Sequence, residues 1–232
     1  MRKVKRMIPL VVYCCLLMSC SVGQSRQDKL LQYMENKYSE DNFAWVQNEL
    51  NNNREKYGII VSSENFPDAR ILVREYDNES NDYILDNYMA YYYKTEAETY
   101  VSELISEIYP ENYVYLQFEH YQLLSSDLAL SSSLQDFLEL CDHSFHLVVL
   151  LPPTQSLDQM EKDYKLLCNI VKDQEIRAAF DVCYLNDQSY YQSITLDEKS
   201  EERIDSSYIS GGFFTYLNDQ NDFTTEWSEG HE

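Results

Sequence analysis

The hydrophobic and polar positions of this chain change period several times, and each change marks an element. From Asp28 onward, Leu30, Leu31, Met34 and Tyr38 fall on one helical stripe. Four strand-like segments come next: Phe43 to Leu50, Tyr57 to Val61, Arg70 to Tyr76 and Tyr83 to Tyr93. Turn-forming runs such as Asn51-Asn52-Asn53 and Asp77-Asn78-Glu79-Ser80-Asn81 separate them, which predicts an antiparallel meander. Thr95 and Glu98 have the spacing of a capping box, so a helix is expected there, carrying Ala97, Val101, Leu104, Ile105 and Ile108 and stopped by Pro110. Tyr113 to Glu119 then alternates, with Val114, Leu116 and Phe118 on one face.

Beyond Gln122 the character shifts. Ser125-Ser126 and Ser131-Ser132-Ser133 bracket a polar junction, the expected boundary between a meander subdomain (28–122) and a second one (132–218). Leu134, Phe137, Leu138 and Cys141 mark a short helix, and Phe145 to Leu151 is an apolar run suited to a strand covered on both faces. Ser156 and Gln159 open a helix carrying Leu157, Met160, Tyr164, Leu167 and Val171, before Ile176 to Leu185 returns as a strand. That order is a β-α-β unit with parallel strands. Ser189 to Thr195 and Gly212 to Leu217 are expected to form a C-terminal hairpin, and 219–232, with five acids and no Lys or Arg, an acidic tail. The fold class is α+β: an antiparallel meander with flanking helices, then the β-α-β unit and the hairpin.

The first 19 residues obey a different logic. Arg2, Lys3, Lys5 and Arg6 precede a 12-residue apolar run, Met7 to Met18, broken only by Pro9. A bilayer span needs ~20 apolar residues and a signal-peptide core only ~7–15, so the segment reads as an export signal. Its end, Leu17-Met18-Ser19-Cys20, resembles the lipobox of bacterial lipoproteins, with Met18 where a smaller residue is usual. The resemblance implies cleavage between Ser19 and Cys20 and a lipid-bearing Cys20, hence a cell-membrane protein held on the extracytoplasmic face. Two acyl chains anchor stably where one binds only reversibly. Residues 20–27 are then a lipidated linker, of which Ser21 to Gln27 as an open coil reach about 15 Å. The Tyr-, Asn- and acid-rich usage is similar to that of surface lipoproteins of low-GC Gram-positive bacteria, many of them uncharacterised.

Charge sharpens this reading. The chain holds 40 acidic and 18 basic residues, a net charge of -22. Removal of the signal takes four basic residues and no acid, leaving 14 against 40, or -26. Such a body lacks the basic face that a phosphate backbone requires, which excludes ordinary nucleic-acid binding. It is also repelled by anionic head groups within a Debye length of ~8 Å, so it is expected to stand off the bilayer.

Candidate chemistry is sparse. Cys141, His143 and His146 lie close in sequence, but residues three apart on a strand point to opposite faces and no second ligand pair is present, so no metal or cofactor is expected. After cleavage Cys141, Cys168 and Cys183 remain in the domain, enough for at most one internal disulfide. No serine stands in a Gly-x-Ser-x-Gly setting, and phosphate-cradling glycine motifs are missing. The most unusual stretch is Tyr83 to Tyr93, where Tyr83, Tyr88, Tyr91, Tyr92 and Tyr93 put aromatic rings on both faces of the expected strand. They are the candidate binding patch for an envelope protein or glycan partner. The sequence thus predicts a binding or scaffolding module, with an envelope hydrolase using carboxylates and a transporter's solute-binding lipoprotein as the alternatives.

Overall fold

The computed structural model describes residues 25–49, 56–76, 83–153, 157–196, 204–218 and 220–229. Helix α1 (Arg26–Lys37) starts at Ser25, whose hydroxyl accepts the Asp28 amide at 3.1 Å while the Asp28 carboxylate accepts the Ser25 amide. This reciprocal cap satisfies two otherwise orphaned donors. Its buried stripe, Leu30 and Met34, packs on the first sheet. That sheet is a meander of β1 (Phe43–Asn48), β2 (Lys56–Ser63), β3 (Ile71–Tyr76) and β4 (Tyr83–Asp86), all antiparallel in the order β1-β2-β3-β4. Ile59, Val61, Ile71 and Val73 form its core face. Burying each such side chain is worth about 1.5–3 kcal/mol. Arg26 and Lys29 both pair with Glu75 and pin α1 to β3.

The expected strand from Tyr83 to Tyr93 ends at Asp86. Helix α2 (Tyr88–Leu104) begins two residues later, well before the expected start at Thr95. The start is set by the Asp86 carboxylate, which accepts the Tyr88 amide at 3.0 Å. Met89, Tyr93, Ala97 and Val101 then recur every four residues and are all buried, a helical stripe that outweighs the β-propensity of the tyrosines.

After β5 (Tyr113–Gln117) and α3 (Leu134–Leu140) come β6 (His146–Leu151), α4 (Leu157–Asp173) and β7 (Ala179–Leu185), the anticipated β-α-β unit with β6 and β7 parallel. Ser189 to Thr195 is not a strand but lies within helix α5 (Gln188–Leu196), whose first turn is held by the Asp187 carboxylate on the Tyr190 amide at 2.8 Å. The C-terminal hairpin is instead β8 (Ile209–Leu217) with β9 (Phe223–Glu229), so the expected acidic tail contributes a strand. The second sheet runs β5-β6-β7-β8-β9. Gly212 on β8 has no room for a side chain, because a Cβ would lie 2.1 Å from the Val182 carbonyl oxygen.

One face of this sheet, including Leu147, Val149, Val182 and Phe213, joins the main core. On the other, Val148, Leu150, Cys183 and Leu185 pack with Tyr191 and Ile194 of α5. Burial on both faces explains the unbroken apolar run of β6. The architecture is α+β. The main core continues from Ile59 of the first sheet to Phe213 of the second, and β5, which precedes the serine-rich junction, pairs with β6 beyond it. Among the described residues no helix is long and apolar enough to cross a membrane.

Candidate functional site

The entry to α2 is built around one buried carboxylate. Asp86 accepts the hydroxyls of Tyr33 (3.0 Å) and Tyr38 (2.8 Å), the ammonium of Lys37 (2.9 Å) and the Tyr88 amide. Burial, then the Asp86 charge, drives both phenols above the ordinary tyrosine range, so each stays a donor. Next to it Asn87 accepts the Leu72 amide at 2.9 Å and donates to the His120 carbonyl at 3.2 Å, while the Asp86 carbonyl accepts the Leu124 amide at 2.9 Å. This corner therefore ties β3, α2 and the segment after β5 together.

A helix, not a strand, separates the five tyrosines. Tyr83 stacks on Tyr76 at 4.9 Å, and Tyr88 is buried against Tyr38 at 4.2 Å. Tyr93 is buried, with its hydroxyl on the Ser132 carbonyl, whereas Tyr92 is exposed. Tyr91 lines a groove of about 590 Å³ between α2, the loop 65–69 and the end of β5. Its aromatic wall comprises Phe66, Tyr91 and Phe118, with Tyr91 edge-on to Phe118 at 5.0 Å. Asp68, Lys94 and Glu119 supply the charges.

The loop that carries Phe66 is held by Asp41. Its carboxylate accepts the amides of Asn42, Glu64 and Asn65 at 2.7, 3.0 and 3.2 Å, together with the Ser63 hydroxyl, whose oxygen accepts the Phe66 amide. Burial alone would push Asp41 up, but hydrogen bonds from Ser63, Asn65 and Asn42 outweigh it and hold the carboxyl below its usual range.

The groove runs along the outer edge of β5, an edge strand of its sheet. Midway along, the Leu116 amide donates to the Glu98 carboxylate at 2.9 Å. A second space of about 390 Å³ lies between Glu98, Thr99, Ser102 and Glu103 of α2 and Asn112 to Val114. Phe66, Glu98, Lys94 and Phe118 do not stand out in the sequence pattern as site residues, because each is ordinary until the fold brings 65–69, α2 and β5 together.

A separate cavity of about 430 Å³ lies at the carboxyl ends of β6 and β7, walled by Tyr109, Pro110, Leu151, Pro152 and Tyr184. The Tyr109 and Tyr184 hydroxyls are buried and approach one another without reaching hydrogen-bond geometry. Burial pushes Tyr184 up to about 12.

The remaining candidate groups are dispersed. Cys141 caps α3 and donates to the Leu138 carbonyl, His143 stacks on Tyr216 at 4.7 Å, and His146 lies against Phe214 at 5.3 Å. Among the described residues no three His, Cys, Asp or Glu side chains converge as metal ligands. Cys141, Cys168 and Cys183 are buried free thiols. Burial pushes Cys141 up to about 12 and raises the other two, so none presents a thiolate at neutral pH. Ser19 and Cys20 lie outside the described residues.

No family model matches this chain, and no curated protein matches it. Among solved structures, a DUF5037 family protein from Ruminococcus gnavus ATCC 29149 is similar over 84% of this chain and 92% of its own, at 16% identity and a TM-score of 0.41.

Proposed function

We propose that the chain is a lipid-anchored protein of the cell envelope that binds a partner through the groove between α2 and β5. Two features support this reading. The first is the lipobox-like end of the N-terminal segment, Leu17-Met18-Ser19-Cys20, behind a basic and then apolar run. The second, which carries the binding role, is the groove itself: an open cleft of about 590 Å³ with three aromatic side chains on a scaffold anchored by buried Asp41 and Asp86. Ligand sites combine this kind of apolar surface with a few placed polar groups.

Anchoring and binding are tested separately. Cys20→Ser is expected to release the protein from the membrane fraction, and a variant that stays there would rule out a lipid anchor at Cys20. For binding, a photo-crosslinking residue at exposed Gln117, beside the groove, should yield an adduct in intact cells, and the same residue at exposed Glu139 of α3 should not. Equal labelling from both positions, or none from Gln117, would rule out the groove.

A further inference from the structure

We infer that the crevice at the carboxyl ends of β6 and β7 is a second binding site, independent of the groove, for a small neutral molecule rich in hydroxyl groups, a sugar or polyol, held by Tyr109 and Tyr184. The topology makes the crevice. The chain leaves β6 for α4, whose Leu167 and Val171 join the main core with Leu147 and Val149, and it leaves β7 for α5, whose Tyr191 and Ile194 pack with Val148 and Leu150 on the opposite face. Where neighbouring parallel strands send their connections to opposite faces, the two connections part and open a gap outside the strand ends, the usual place for a ligand in an open sheet with helices on both faces. Here the gap is the cavity of about 430 Å³ between Leu151 and Pro152 on the β6 side and Tyr184 and Gln188 on the β7 side. Small-molecule sites occupy roughly 300–1,000 Å³.

The wall of this cavity carries an unmet demand. Tyr109 and Tyr184 are 5% and 1% exposed, and neither hydroxyl has a hydrogen-bond partner among the described residues. Even if the two turned to one another, only one of the two protons would find an acceptor. Phenylalanine would fill the same space without that cost, so the hydroxyls call for an acceptor from outside the chain. The rings meet edge to face at 6.5 Å, near the wide end of the ~4.5–7 Å range of aromatic pairs, so an entering oxygen needs only a small parting of them. The remaining groups select the class of ligand. Ile108, Pro110, Leu151 and Pro152 offer an apolar surface to a carbon ring, and Glu111 and Gln188, both exposed, can accept from its hydroxyls. Among the described residues no Lys, Arg or His lines the cavity, and buried Asp163 of α4, held by the Gln159 amide at 2.8 Å, sets a negative charge close to both phenols. A carboxylate or phosphate is therefore opposed. An ammonium brings donors where the phenols need an acceptor, whereas a hydroxyl accepts from a phenol and donates to Glu111.

The test uses the full chain in detergent with three probes of the favoured class, methyl glucoside, methyl galactoside and N-acetylglucosamine, and two of the opposed classes, ethylammonium and succinate. Binding is read as a rise in Tm and as shifts of the ring signals of Tyr109 and Tyr184. At least one sugar is expected to produce both, and neither charged probe. Tyr184→Phe should raise the Tm of the free protein yet weaken that sugar about tenfold, the worth of one hydrogen bond near the top of its usual range. Gln188→Trp, at the exposed mouth, should block binding and leave the fold intact. The proposal is overturned if no sugar moves the two rings, if ethylammonium or succinate moves them in place of a sugar, or if the sugar binds both variants as well as the native protein. A lower Tm for free Tyr184→Phe would overturn it too, since the hydroxyl is then satisfied within the fold.

Discussion

Asp86→Ala tests the corner on which both sheets and the groove depend. The aspartate is 2% exposed, and its Lys37 partner keeps only 12% of its side-chain surface in water. Removal of the carboxylate takes an acceptor from both phenols and the counter-charge from the Lys37 ammonium, which still donates to the Tyr33 hydroxyl at 2.9 Å, and takes away the group that starts α2. Charge-assisted hydrogen bonds are worth about 1.5–3 kcal/mol each, but four that share one acceptor do not add, and breaking a buried ion pair costs about 3–5 kcal/mol. We expect a loss near 4 kcal/mol, a large part of the ~5–15 kcal/mol that holds a domain together. Asp86→Asn keeps an oxygen for Tyr38 and the Tyr88 amide, so it should cost about half as much. Adding Lys37→Met to it removes the orphaned charge and should recover part of the loss. Urea unfolding followed by circular dichroism gives the stabilities. Hydrogen exchange at Phe118 to Leu124 should speed up in parallel, because Asp86 and Asn87 hold that segment. A loss below about 1 kcal/mol for Asp86→Ala would refute the premise that this charge is integral to the fold.

Four further outcomes are expected. Asp41→Ala should cost about 2–3 kcal/mol in urea unfolding and weaken the near-ultraviolet dichroism of the Phe66–Tyr88 contact, since loop 63–66 hangs on that carboxylate. Tyr184→Phe should stabilise the protein by about 1 kcal/mol in the same assay, because it deletes a buried hydroxyl with no hydrogen-bond partner among the described residues; destabilisation would mean that the hydroxyl is satisfied. Asp41 and Glu75 both titrate below the ordinary carboxylate range in the folded state, the latter because Lys29 and Arg26 outweigh its burial. Their contribution is therefore complete above the unfolded pKa values and lost as pH falls through the folded ones, so Tm should drop between about pH 5 and 3, less steeply in Asp41→Asn/Glu75→Gln. Iodoacetamide at mildly alkaline pH should spare Cys141, Cys168 and Cys183 in the native protein and modify all three after unfolding, as mass spectrometry of the peptides would show.

Elements whose burial obeys one simple rule are legible in the chain. The meander strands alternate or are framed by turn residues, and β6 and β7 are short apolar runs that flank an amphipathic helix, so these emerge close to their observed bounds. The departures share a cause. In Tyr83 to Tyr93, in α5 and in β9, residue type masks spacing. Tyrosine favours strands, yet Met89, Tyr93, Ala97 and Val101 carry a helical repeat, and Tyr191 with Ile194 does the same over one turn behind the Asp187 cap. In 219–232 the acids conceal the hairpin signal. Asn218 accepts the amides of Gln220 and Asp222, and Asn221 takes a positive φ of 61°, a turn that lets Phe223 to Glu229 pair with β8.

The groove is out of reach of the sequence for a different reason. A sequence pattern marks a strand as strand but does not say which strands end a sheet, and the groove is lined by β5 at the end of its sheet. The aromatic patch is half visible: Tyr91 belongs to the segment that stands out, but the partners that give it a wall, Phe66 and Phe118, lie about 25 residues to either side of it. Glu98 is visible only as one half of a Thr95 capping box that does not start the helix. With α2 beginning at Tyr88, the same carboxylate is released from any capping task and turns to the Leu116 amide. A helix start placed at Thr95 thus hides both the position and the role of Glu98.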